Sequence, residues 1–213
     1  LRGTHAVSSG EDWSSIKTHA ELSLYFFLPL YALRPGPEIL LWMQAALVAL
    51  GALPVYLLAA RYLSKPAAML LAFAYLLFPA IHSGNFYDFH FQPIASTAIL
   101  WCFYFLDTRR DLLFTFCFIL ALGCREDTSI SLAVAGFMMV CAGYRPRMGM
   151  VVAIVSAAYF FVMKFMIMPL FGSWWFSDMY KDLVPPGGNG FFGVITTLVT
   201  NPVPFGPVYF AAY

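Results

Sequence analysis

Three short stretches of the sequence gather polar and ionisable side chains between long apolar blocks: residues 19–21, 85–93 and 124–129. Carboxylates in such a group can take a proton from a hydroxyl, imidazoles can carry protons or bind metals, and a guanidinium can bind phosphate. These residue types therefore suggest proton transfer beside an anionic group. Whether they act together depends on the elements that position them.

In the stretch 85–93, an extended chain would place Asp88, His90 and Gln92 on one face, because side chains alternate along extended backbone. The Asp88–His90 pair could hold a metal, or the carboxylate could orient the imidazole. The alternative is a capped helix start before Pro93, with the neighbouring aromatic residues in the membrane-interface belt. The sequence leaves both interpretations open.

The triplet Arg125-Glu126-Asp127 places three consecutive charges between apolar blocks. Capping of the following helix by Asp127 would explain that residue but not the whole triplet. Burial should raise the pKa of a lone carboxyl here, and the charge of Arg125 should lower it again. We therefore interpret the triplet as part of a functional site.

The side chains of the three stretches divide by chemistry into proton acceptors and groups that hold a substrate. The candidate catalytic residues are Glu126, Asp127 and Asp88. The candidate substrate-binding residues are His19, Glu21, His90 and Arg125. Taken alone, residues 19–21 would also fit an ordinary interfacial loop. No spacing identifies a metal, so a divalent ion is left open as a cofactor.

The composition predicts the environment of these groups. Of the 213 residues, 61% are hydrophobic and 11% are charged, whereas soluble domains carry roughly 25% charged residues. The chain is therefore expected to be an all-α integral membrane protein whose partner is the lipid bilayer. The net charge of +1 gives no nucleic-acid footprint. Walker A, G-x-S-x-G and H-E-x-x-H motifs are absent from the sequence.

Apolar blocks predict a polytopic bundle of about six membrane helices, at residues 37–60, 66–81, 93–106, 112–124, 128–143 and 148–168. Residues 22–33 are too short to span and are expected to be interfacial or re-entrant. We expect a single transmembrane domain over residues 1–213, a fragment that lacks its N- and C-terminal parts. It comprises an outer loop (1–21), the helix bundle (22–170), and an outer loop with the start of a further helix (171–213).

Every second loop between these helices is basic. Six of the twelve Lys and Arg residues fall in three short loops, at 61–65, 109–110 and 145–147, and the positive-inside rule makes that side cytoplasmic. The three polar stretches then face outward. Asp107 and Asp111, the two acidic residues on the basic side, are expected to be solvated.

Depth adds a constraint on the triplet. The fourth helix has 13 residues, so it rises about 20 Å and falls short of a hydrocarbon layer about 30 Å thick. Residues 125–127 should therefore lie below the outer surface and line a cavity. Lys164, in the outer half of the sixth helix, could either snorkel outward or contact a phosphate.

The sequence resembles a family of predicted membrane proteins, domain of unknown function 2079. The resemblance rests on residues 19–63, which begin HAEL, on FYDFHFQPIA at 86–95, and on CREDTSISLAVAGF at 124–137. That family is similar to the GT-C glycosyltransferases, so the resemblance implies a GT-C-like fold. It also implies transfer of a sugar from a polyprenyl phosphate at the outer face of the cell membrane. The usual catalytic Asp of that class follows the first transmembrane helix, which would lie before Leu1.

A different class of function is a membrane transporter or a non-catalytic membrane protein. A coupled transporter should hold its polar site near the middle of the membrane, reachable from both sides. Here the cytoplasmic halves of the predicted helices carry almost no ionisable residues. That asymmetry favours an enzyme that faces outward.

Overall fold

The structure is a computed structural model that describes residues 19–33, 35–84 and 89–171, together with the single positions 193, 196, 199 and 200. All regular secondary structure in these ranges is helical. The elements are α1 (Leu24–Leu33), α2 (Pro37–Leu50), α3 (Ala52–Ala59), α4 (Lys65–Leu77), α5 (Pro79–Ser83), α6 (Phe91–Asp107), α7 (Asp111–Cys124), α8 (Thr128–Cys141), α9 (Pro146–Val162), a π-helical turn (Met163–Ile167) and α10 (Met168–Phe171).

Among the described residues, two helical stretches are long and apolar enough to cross a membrane, Pro37–Ala59 with 23 residues and Pro146–Phe171 with 26. At 1.5 Å per residue they measure about 35 and 39 Å, which exceeds a hydrocarbon layer of about 30 Å. Helices α1, α4, α7 and α8 are apolar but shorter. Many large apolar side chains are exposed, among them Trp42, Leu70 and Leu112. Such a surface suits contact with lipid rather than water.

Helix boundaries differ from the predicted ones where proline intervenes. The predicted helix at 66–81 is divided at Phe78, because Pro79 disfavours helical backbone at the residue before it. The stretch at 22–33 contains the ten-residue helix α1, with Pro29 inside it. Helix α6 begins at Phe91, two residues before the predicted start.

The first long stretch is interrupted at Gly51, between α2 and α3, where Pro54 cannot donate a backbone hydrogen bond to the preceding turn. Hydroxyls from other helices donate to carbonyls just before this interruption. Thr97 donates to the carbonyl of Leu47 at 3.1 Å, and Tyr75 donates to that of Val48 at 3.0 Å. A Cβ at Gly51 would lie 2.2 Å from the Tyr75 hydroxyl, so the close approach depends on glycine.

Helices α6, α7, α8 and α9 surround the main apolar core, which includes Cys102, Phe118, Leu132 and Val152. α8 and α9 approach each other through glycines, since a Cβ at Gly136 would lie 2.7 Å from the carbonyl oxygen of Gly149. The ends of this bundle differ in chemistry. We call the end with loops 60–64, 108–110 and 142–145 the basic end, and the end with residues 19–23, 84, 89–90 and 125–127 the polar end.

Ion pairs join the loops of the basic end. Arg61 pairs with Asp107, and both Oδ atoms of Asp111 accept from Nη2 of Arg145, at 2.6 and 2.7 Å. Arg145 also donates to the carbonyl of Leu106 at 3.3 Å. The expectation that Asp107 is a solvated charge is wrong, because its side chain is 18% exposed and pairs with Arg61. Asp111 is 53% exposed, as a solvated charge should be, but it also pairs with Arg145.

Candidate functional site

The buried carboxylate of Glu126 is the centre of the polar end. Its side chain is 2% exposed and lies in the turn between α7 and α8. Oε1 lies 3.3 Å from Nδ1 of His19 and accepts from Nζ of Lys164 at 3.2 Å. Oε2 accepts from the backbone amide of Ala20 at 3.0 Å. One side chain thus joins the segment before α1, the α7–α8 turn and the π-helical turn after α9.

These partners determine the ionisation of Glu126. Burial alone would raise the pKa of its carboxyl, but the hydrogen bonds from His19 and Ala20 and the charge of Lys164 lower that pKa to about 2. Glu126 is therefore an anion at neutral pH. A carboxylate held this firmly is a weak proton acceptor, and its geometry favours a positioning role.

A glycine allows the segment before α1 to lie against α7. The backbone amide of Ser23 donates to the carbonyl of Gly123 at 2.7 Å, and its hydroxyl donates to that of Leu120, also at 2.7 Å. A Cβ at Gly123 would lie 2.7 Å from Oγ of Ser23. The absence of a side chain at Gly123 therefore brings residues 19–21 within reach of Glu126.

Glu21 lies in contrasting surroundings within the same end. Burial raises the pKa of its carboxyl, while the charges of His19, His90 and Arg125 lower it and Glu126 raises it. Within the described ranges the Glu21 carboxylate makes no salt bridge. It is thus a partly buried carboxyl group near several cationic side chains, with oxygens not committed to any of them.

Arg125 connects α6 to the charged turn. Its Nη1 donates to Oε1 of Gln92 at 3.1 Å, and its Nη2 lies 2.7 Å from Oδ2 of Asp127. Its Nε is buried and has no hydrogen-bond partner in the described part of the chain. Asp127 occupies the N-cap position of α8, but its side chain makes no capping bond. The Asp127 carboxylate therefore pairs with Arg125 instead of capping α8.

Gln44, a fully buried residue of α2, holds both flanks of residues 85–88. Its Oε1 accepts from the backbone amide of His90 at 2.7 Å, and its Nε2 donates to the carbonyl of Gly84 at 3.0 Å. His90 itself is extended, with φ −141° and ψ 143°. The helix begins at the next residue, so the extended alternation predicted through Gln92 ends at His90. Asp88 lies outside the described residues.

Two clefts open beside this cluster, of about 400 and about 370 Å³. The first lies between α5 and the start of α6, and His90 contributes to its wall. The second lies between α6 and the start of α8, and Asp127 contributes to its wall. Gln92 and Ser96 line both. Across residues 19–33, 35–84 and 89–171, no three His, Cys, Asp or Glu side chains form a group that could hold a metal ion.

Two residues of this end were not assigned to the site from the sequence. Lys164 had two possible positions, and the structure places it against Glu126, 13% exposed. Gln44 carries a signal in the sequence, because it is a single amide inside an otherwise apolar span. A polar side chain in lipid surroundings needs a protein partner, and that requirement points to a buried contact.

Comparisons with known proteins identify the family but not an activity. Neither the curated proteins nor the solved structures contain a match to this chain. The family described as "Predicted membrane protein", domain of unknown function 2079, matches residues 2–210. The match covers nearly the whole chain, and the exposed apolar helices agree with a membrane location. This chain therefore belongs to the membrane protein family of domain of unknown function 2079.

Proposed function

We propose that this chain is part of a GT-C-like glycosyltransferase that transfers a sugar from a polyprenyl phosphate at the outer face of the cell membrane. The supporting observation is the pairing of two carboxyl groups in contrasting surroundings, with four cationic or titratable side chains around them. Glu126 is fixed by His19 and Lys164, whereas Glu21 makes no salt bridge among the described residues. Environments that separate two carboxyl groups in this way are typical of sites that divide labour between them.

In the proposed reaction, Glu21 accepts the proton of an acceptor hydroxyl. The acceptor oxygen then forms a bond to the anomeric carbon of the sugar, and the bond from that carbon to the lipid phosphate breaks. The departing phosphate carries away the bonding electrons, so it needs positive charge nearby. Arg125 and Lys164 supply cationic groups at this end, and His90 supplies an imidazole.

Asp127 and Asp88 remain candidate carboxylates within this proposal. The Asp127 carboxylate is 44% exposed and lines the second cleft, so it is accessible to an acceptor. Glu126 acts as a positioning residue that seats the segment bearing His19 and Glu21. A divalent metal is not required by this assignment, because protein cations can stabilise the leaving phosphate.

The topology in this proposal has about six membrane spans with the polar end outside. The basic loops, which pair with one another through Arg61–Asp107 and Asp111–Arg145, are then cytoplasmic by the positive-inside rule. Single-cysteine labelling tests the sidedness in a background without the four native cysteines. A cysteine at position 127 should react with an impermeant maleimide from outside, and one at position 110 should react only after permeabilisation. The reverse pattern would overturn the topology.

The activity is tested with the full-length protein in liposomes, supplied with radiolabelled mannosyl and arabinosyl polyprenyl phosphates and a cell-envelope extract as acceptor. We expect label to move from the lipid to the acceptor. Glu21→Gln should abolish transfer without loss of folding, because the amide keeps the shape but cannot accept the proton. Accumulation of a solute inside the liposomes without any sugar transfer would support the transporter alternative instead.

A further inference from the structure

Gln92 occupies an unusual position for an exposed amide, since it lies at the junction of the two clefts and is held from one side. Arg125 donates to its Oε1 at 3.1 Å, and Asp127 fixes Arg125 through the 2.7 Å contact of Nη2 and Oδ2. A free glutamine side chain rotates among many conformers at little cost, so this relay of contacts restricts it. With Oε1 occupied by Arg125, the two N–H donors of Gln92 are the groups left for another partner.

The walls of both clefts are rich in uncharged hydrogen-bonding groups. Besides Gln92, the hydroxyl-bearing side chains that line them are Ser83, Ser96, Thr128 and Ser131. The Ser83 hydroxyl donates to the carbonyl of Ala80 at 3.0 Å, which leaves its lone pairs as acceptors. Apolar surface alternates with these groups, from Ile81 and Pro93 in the first cleft and from Ile99 and Ile130 in the second. Donors and acceptors in these walls can hydrogen-bond to the hydroxyls at the edge of a sugar ring. The apolar patches between them can pack against the C–H groups on its faces.

The charges around the second cleft disfavour an anion inside it. Asp127 contributes a carboxylate to the wall of the second cleft. The nearest guanidinium, that of Arg125, has one nitrogen committed to Asp127 and another to Gln92. Lys164 is directed to Glu126. A free phosphate would meet like charge from Asp127, whereas an uncharged ligand would not.

We infer that the two clefts form one binding site for an uncharged, polyhydroxylated ligand of the saccharide class, and that Gln92 is its specificity-determining residue. The inference deepens the proposed function and rests on it for the identity of the ligand as acceptor or transferred sugar. The relay Asp127–Arg125–Gln92 orients the amide so that its N–H groups meet hydroxyl oxygens. Arg125 is thereby a positioning residue for Gln92 as well as a source of charge.

The test is equilibrium binding to the full-length protein in lipid nanodiscs, using methyl glycosides of mannose, galactose, glucose and arabinofuranose as probes. Saturation-transfer NMR reports binding and thermal shift reports folding in the same samples. We expect at least one glycoside to saturate in the millimolar range. Gln92→Leu should weaken it roughly tenfold or more, the effect of losing one or two hydrogen bonds. Gln92→Asn, which withdraws the amide by one methylene group, should weaken binding even if the leucine variant folds poorly.

The matched control is Thr115→Val, because the Thr115 hydroxyl is exposed on α7 and donates to the carbonyl of Asp111, away from both clefts. This variant should bind as the natural protein does.

The inference is overturned if no glycoside saturates the protein, if both Gln92 variants bind normally, or if inorganic phosphate displaces the glycoside. Gln92-dependent binding without any sugar transfer would refute the transferase and leave the binding site standing. Transfer with both Gln92 variants unimpaired would refute the binding site alone.

Discussion

The two ends of the bundle use the same kind of contact for different purposes. At the basic end, Asp111 pairs with Arg145 while 53% of the aspartate side chain remains exposed. At the polar end, Glu126 pairs with Lys164 while their side chains are only 2% and 13% exposed. Exposed pairs contribute little because water screens them, whereas a buried charge without its partner is costly. The basic end is therefore expected to tolerate loss of a pair, and the polar end is not.

A second difference is what each contact holds. The basic-end pairs join loops that adjacent helices already bring together. Glu126 instead reaches His19, which precedes it by 107 positions. Together with the contacts of Ser23 to α7, it fixes a segment that lies outside the helices. Long-range anchoring of this kind is typical of sites whose geometry must be maintained. The burial of Glu126 therefore supports a functional polar end more strongly than the number of charges does.

The largest expected effect follows from removing the central carboxylate. Glu126→Ala leaves Lys164 and His19 without their buried partner, and such a loss typically costs 3–5 kcal/mol. We expect a clear drop in melting temperature and release of residues 19–23, measured by thermal unfolding and limited proteolysis. Glu126→Ala combined with Lys164→Met should recover part of the stability. No recovery in the double variant would show that the unpaired charge of Lys164 is not the cause of the lost stability.

Lowering the pH should change the stabilising contributions of the two glutamates of the polar end in opposite directions. The folded-state pKa of Glu126 lies at about 2, below its ordinary value, so its stabilising contribution is present above pH 4.5 and is lost as the pH falls toward 2. By thermodynamic linkage, this lowering of the pKa corresponds to a contribution of roughly 3 kcal/mol to the free energy of unfolding. The pKa of Glu21 is raised, so its contribution has the opposite sign: it is present at low pH and is lost as the pH rises through the folded-state pKa. Melting temperature against pH for Glu126→Gln and Glu21→Gln should show slopes that change in opposite directions.

Transfer activity gives the same comparison a functional readout. If Glu21 is the base, activity should rise as its carboxyl ionises. Because its pKa is raised, this rise should occur at a higher pH than for an ordinary glutamate. Glu21→Gln should show no acid limb, because this variant lacks the base and its transfer should be abolished throughout that pH range. An unchanged acid limb in this variant would assign the base to another carboxylate, with Asp127 and Asp88 as the next candidates.

The sequence predicted the helical class well, because apolar helices leave long apolar blocks that need no tertiary information. It predicted the two long helices closely. It did not predict that Asp127 would turn to Arg125 instead of capping α8, since both outcomes use the same residue at the same position. The contact of Glu126 with His19 joins distant segments, and its existence depends on how closely Gly123 lets the chain approach.

Two glycines, one near each end, should differ in their importance. Gly123→Ala would set a methyl group 2.7 Å from Oγ of Ser23 and 3.2 Å from its backbone nitrogen, so the segment before α1 must shift. Such overpacking typically costs about 1–3 kcal/mol. Gly143→Ala meets no atom within 4 Å but has φ +66°, and the strain should cost about 1 kcal/mol. Thermal unfolding measures both, and only Gly123→Ala should also reduce sugar transfer. Equal transfer in the two variants would show that activity does not depend on how residues 19–23 pack against α7.

The smallest effect is expected from the exposed pair of the basic end. Asp111→Asn removes the charge that faces Arg145 but leaves both side chains accessible to water, so the free energy of unfolding should change by at most about 1 kcal/mol. That change should shrink further as salt is raised to about 1 M, where the screening length is roughly 3 Å. Chemical unfolding of the natural protein and the variant at low and high salt measures the difference. A loss as large as that of Glu126→Ala, unaffected by salt, would mean that Asp111 and Arg145 form a buried structural pair and that the two ends are alike.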